Sequence, residues 1–152
     1  MDENNPVMKL LIEGMEAEMK GKMPDACALF QQAWAARQDD YEACMAAHFL
    51  ARHQDSPQAT LQWNQEALNR AKSAGDDRVQ SFYASLYLNL GYSYETLGNQ
   101  VEARAYYQMA ANGLDHVPEG PYKEVVRDGI TRGLRRVDCI DDCDDQRFVW
   151  SR

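Results

Sequence analysis

The stretch Tyr87-Leu88-Asn89-Leu90-Gly91-Tyr92-Ser93-Tyr94-Glu95-Thr96-Leu97-Gly98-Asn99-Gln100-Val101-Glu102-Ala103-Arg104-Ala105-Tyr106-Tyr107-Gln108-Met109-Ala110 decides the fold. Tyr87, Leu90, Gly91 and Tyr94 recur at the spacing of one helix face. After Gly98-Asn99 the face resumes with Ala103, Tyr107 and Ala110. Gly98 is a break between two helices rather than a bend within one. A small residue on each helix lets the backbones approach, and the aromatic four residues beyond Ala103 fills the adjacent gap. The stretch therefore reads as an antiparallel helix pair with a tight turn.

The same pattern occurs twice upstream. Ala26-x-x-x-Phe30-x-x-Ala33 and Ala59-x-x-x-Trp63 repeat the small-then-large unit. Gly21, Gln54 and Gly98 each lie five residues before the alanine of their unit. On the preceding helices, Leu10, Gly14 and Ala17 align with Ala43, Ala47 and Leu50, and with Tyr87, Gly91 and Tyr94. The alanines are offset by 33 and then 44 residues, a period that indicates a helical repeat. Pro24 and Pro57 suit the first turns of second helices, where a missing N–H costs nothing. The turns at Ala74-Gly75-Asp76-Asp77 and Pro118-Glu119-Gly120-Pro121 bound a fifth helix expected over Arg78 to Leu97, the longest, and a sixth after it. A seventh helix from Tyr122 to Val137 carries Tyr122, Val125, Val126, Ile130, Leu134 and Val137 on one face and reads as a lid.

The units resemble the tetratricopeptide repeat (TPR) family over roughly residues 7 to 115. The third unit matches best, and the second is degenerate, with Ala46-Ala47 in place of Leu-Gly. The resemblance implies an all-α, right-handed TPR solenoid of three helix pairs plus a C-terminal capping helix. Its expected bounds are a domain over 1–137, with units at about 7–39, 40–75 and 78–115 and the capping helix at about 121–137. An acidic tail with an apolar end follows over 138–152.

The resemblance also implies function: a non-catalytic protein-interaction module that binds a peptide or helix in its concave groove. First helices line that groove in the family. The implied surface is Met8, Leu11, Ile12 and Met15 in the first unit; Tyr41, Cys44, Met45, His48 and Arg52 in the second; and Ser85, Leu88, Asn89, Tyr92 and Glu95 in the third. Methionine suits such a surface because it adapts to varied apolar partners. A chaperone-tail clamp is set aside, because Leu11 and Met15 stand where that subtype needs polar groups. A small secretion-type TPR chaperone is the alternative among binding proteins.

Composition narrows the rest. The chain has 152 residues and a formal net charge of -8, so nucleic acid is not an expected partner. No apolar run is long enough to span a membrane, and Met1-Asp2-Glu3-Asn4-Asn5-Pro6 does not read as a secretory signal. A cytoplasmic setting with reduced thiols is the expectation for its four cysteines, and no cofactor is expected. Cys44 and His48, one turn apart, could form a nucleophile with its base or two ligands of a metal, but neither an oxyanion hole nor further ligands accompany them. Cys139 and Cys143 lack the second close pair of a structural zinc site. The acids from Asp138 to Asp145 lack the spacing and glycine of a calcium loop and read as a solvated terminus. Phe148, Val149 and Trp150 after them are expected to dock on an apolar surface, of this chain or of a second copy in a homodimer.

Overall fold

The structure is a computed structural model that describes residues 2 and 4–147, with side chains described as far as Cys139. Helices α1 (Pro6–Met19), α2 (Met23–Ala36), α3 (Asp40–Leu50) and α4 (Pro57–Ala74) are followed by the single turn α5 (Asp77–Gln80). Then come α6 (Tyr83–Thr96), α7 (Gln100–Gly113) and α8 (Pro121–Arg147), and no strand occurs among the described residues. The chain forms two compact units that divide between Val79 and Gln80.

In the first unit α1 pairs with α2, and α3 with α4. Three of the helix starts, those of α1, α3 and α4, carry side-chain caps. Asn5 accepts from the backbone N–H of Val7 and Met8, Asp39 from Glu42, and Ser56 from Ala59. Each cap satisfies N–H groups that have no partner within the helix. Gly75 ends α4 in the left-handed conformation, φ 59°, where a side chain would be strained. Phe30 and Leu11 are fully buried, and Trp34 meets Trp63 edge to face at 5.0 Å.

In the second unit α6 pairs with α7, and α8 packs on both. Tyr107 is fully buried, with Ala103 and Val137 beside it. Val126 and Ile130 join Ala84, Ala110 and Val117 in an adjoining cluster. Buried residues on α8 thus recur at Val126, Ile130, Gly133 and Val137, one stripe of a helix that lies against its neighbours on one side.

Two expectations need correction. The long fifth helix is broken: α5 is a lone turn, started by Asp76 accepting from the Arg78 N–H at 2.9 Å, and α6 begins its own ladder with Leu86 N–H bonding to Phe82 O. The longest helix is α8, whose backbone continues past Val137 to Arg147. The expected docking of Phe148, Val149 and Trp150 lies outside the described residues.

The closest helix approaches are at glycine. A methyl group on Gly91 would fall 2.6 Å from the Tyr107 ring, and one on Gly14 would fall 2.3 Å from Phe30. Alanine is the better helix former by about 1 kcal/mol, while overpacking a core contact costs about 1–3 kcal/mol. Gly91→Ala should therefore lower the thermal midpoint despite its higher propensity. A midpoint at or above that of the parent protein would show that α6 and α7 do not meet at this ring.

Candidate functional site: the faces of the first helices

The two complete junctions between a helix pair and the next helix are built alike. In the first unit Phe30 lies against Gly14, stacks on Phe49 of α3 at 5.1 Å, and meets the His53 ring at 5.4 Å. Glu18, at the end of α1, accepts from Arg52 at 3.0 Å and pairs with His53 at 2.7 Å. In the second unit Tyr107 lies against Gly91 and against Gly133 of α8. Glu95, at the end of α6, takes both Arg136 Nε at 2.6 Å and Arg136 Nη2 at 3.0 Å, and also accepts from the Tyr107 hydroxyl. Gly14, Glu18 and Phe30 and their counterparts Gly91, Glu95 and Tyr107 share one offset of 77 residues.

These contacts fix the charges. The Arg136 fork holds the Glu95 carboxyl below the usual carboxylate range, against the opposing effect of burial. Burial raises Tyr107, and its bond to Glu95 adds to that. Tyr107 therefore stays a neutral donor and Glu95 an ionised acceptor at neutral pH.

The expected groove residues divide into three groups. Met8, Leu11, Cys44 and Met45 are buried core rather than groove surface. Arg52, Ser85, Leu88 and Glu95 are taken up by neighbouring helices. Arg52 binds Glu18 and lies over the Phe49 ring at 4.6 Å. Ser85 is buried and accepts from Tyr122 at 2.8 Å. Leu88 packs against the α8 stripe at Gly129, and Glu95 holds Arg136. Thus α8 runs parallel to α6, contacting it successively at Ser85, Leu88 and Glu95, and closes over positions expected to be open.

The third group stays on the surface. Ile12 and Met15 are half-buried on α1, and Met19 beyond them is 81% exposed. Tyr41 is half-buried, with the Arg78 guanidinium 4.4 Å above its ring. His48 is half-buried with its ring 5.3 Å from Phe49. On α6, Asn89 is half-buried and Tyr92 is 60% exposed. The sequence reading missed Glu18, His53 and Arg136. The shared phase of Glu18 and Glu95 was the signal that could have found the first of them.

Cys44 and His48 do not form an activated pair. Burial pushes the Cys44 thiol up to about 12, and burial with the nearby Arg52 charge pushes the His48 imidazole down to about 4. Both are neutral at pH 7, so there is no thiolate to act as nucleophile or metal ligand. Among the described residues no group of three or more His, Cys, Asp or Glu side chains is placed to hold a metal ion. None of the described helices is long and apolar enough to cross a membrane.

Comparison with known proteins bears on the fold. The structure matches the crystal structure of MamA, a TPR-containing protein, with a TM-score of 0.55 and 18% sequence identity, over 94% of this chain and 82% of that one. The chain is therefore an all-α, TPR-like helical-repeat protein. No family model matches the sequence, and no curated protein does.

His48 also predicts a pH response. Its folded value lies below its ordinary 6.5, so the unfolded chain binds the extra proton first. The stability it contributes is complete above pH 6.5 and is lost as pH falls toward 4. Thermal midpoints should drop across that interval, and the drop should be shallower for His48→Gln. Parallel curves for the two proteins would show that His48 is not held neutral.

Proposed function

We propose that this chain is a non-catalytic protein-interaction module that takes up a peptide or helix on the faces of its first helices. The observation that supports this most directly is exposure. Tyr92 on α6 and Met19 on α1 are large apolar side chains that stand in solvent, Tyr92 near half-buried Asn89 and Met19 beyond half-buried Ile12 and Met15. A rigid tyrosine and flexible methionines are the side chains that supply contact area at a binding surface. The fold points the same way, since repeats of this kind stack helices into extended surfaces. The binding residues are Ile12, Met15, Tyr41 and His48 in the first unit, and Asn89 and Tyr92 in the second. Leu88 and Ser85 serve the packing of α8 instead.

The test is capture of partners from an extract of the native cell by the immobilised chain. Tyr92→Glu and Met15→Glu should each lose the retained protein while keeping the parent's helical circular dichroism and thermal midpoint. Retention of the same protein by both variants moves the binding surface elsewhere.

A further inference from the structure

The second unit has a concavity at the other end of α6 from Tyr92. Gln80, Tyr83, Tyr87, Met109, Asn112, Gly113 and His116 line an open hollow of about 320 Å³ at the start of α6 and the end of α7. Tyr83 and Tyr87 stack at 5.8 Å, Met109 is 41% exposed, and the amide side chains of Gln80 and Asn112 also line the hollow. Two tyrosine rings and a methionine beside a few polar side chains are the chemistry of a hollow that takes one aromatic side chain. Tyrosine faces and a methionine sulfur both favour an incoming ring.

The sequence supplies such a group in Phe148-Val149-Trp150. Reach decides whose it can be. Tyr122, near the start of α8, is hydrogen-bonded to Ser85, only two residues from Tyr83. From there α8 continues to Arg147. At a rise of 1.5 Å per residue that end lies ~37 Å from Tyr122. The three residues on to Trp150 span at most ~11 Å. The described helix thus leads away from the pocket, and three further residues are too few to span the way back. Only another molecule can present it there.

We propose that this pocket receives the Phe148-Val149-Trp150 segment of a second copy of the chain. The contact is head-to-tail. One copy gives its pocket and the other the segment beyond its α8, so each bound pair keeps one pocket and one segment unused. Such a heterologous contact grows into a ring or a chain of copies rather than stopping at a symmetric dimer. It also leaves Tyr92 and Met15 free, so self-association and partner capture are separable.

Sedimentation velocity of the full chain over a range of concentrations tests the proposal. The parent protein should associate progressively with concentration. Trp150→Ala removes the inserted group and Met109→Glu puts a charge on the rim. Each should raise the dissociation constant at least about tenfold, the effect of losing a central aromatic anchor. Met109 is at the surface, and an unchanged thermal midpoint confirms that its variant folds. The deciding experiment mixes the two variants. The Met109→Glu copy retains its segment and the Trp150→Ala copy retains its pocket, so a 1:1 mixture should form dimers and nothing larger. A parent protein that stays monomeric at every concentration, association that survives either substitution, or a mixture that stays monomeric would each overturn the proposal. If the parent is monomeric while Tyr92→Glu still abolishes partner capture, the binding surface stands and only the self-association fails.

Discussion

The contact on which the rest depends is an aromatic ring pressed against a glycine backbone. At Gly14 and Phe30, and again at Gly91 and Tyr107, the paired helices come close enough that a single added methyl group would meet the ring. The ring is then wide enough to reach past its own pair. Phe30 touches Phe49 and His53, and Tyr107 touches Gly133. One buried side chain therefore sets both the distance within a pair and the seat of the next helix. Dispersion over many atoms does most of this work, since interiors are packed as densely as organic crystals.

Polar groups then fix what the rings leave undetermined. Apolar contact has no strong preference for register along a helix, whereas an ion pair has one. Glu18 and Glu95 each stand one turn beyond the close glycine and take cations from the helix stacked above. The Glu95 carboxylate receives a two-pronged Arg136 and a tyrosine hydroxyl together, so sliding α8 by a turn would strand all three groups. Surface pairs such as Arg132 with Asp128 lack this role, being exposed and within one helix.

Much of the fold was legible in the sequence, and the reason is geometric. Small residues at Gly14, Ala26, Gly91 and Ala103 admit few alternatives to close helix pairing, and their phase recurs. The break in the fifth helix was not legible, because Arg78 to Phe82 contains neither glycine nor proline and the interruption follows from how the ladder restarts at Phe82. The candidate surface was half legible. Periodicity places Met8, Leu11, Ile12 and Met15 on one helix but does not say which of two adjacent stripes the next helix covers. It covered Met8 and Leu11, and left Ile12 and Met15 at the surface. Likewise Leu88 and Tyr92 are one turn apart, and only the path of α8 separates a packing residue from an exposed one.

The shared glutamate and ring also bear on how such a chain can lengthen or shorten over generations. Insertion of a whole repeat is tolerated where the incoming helix brings its own cation to the waiting carboxylate and leaves room for the waiting ring. Phe49 and Gly133 show two ways of meeting a ring, and His53 with Arg52 and Arg136 alone show two ways of answering a carboxylate. A crossover within a unit would separate Gly91 from Tyr107 or Glu95 from Arg136. Recombination that respects the turns keeps them together, so the boundaries at which this architecture can be cut are written into its contacts.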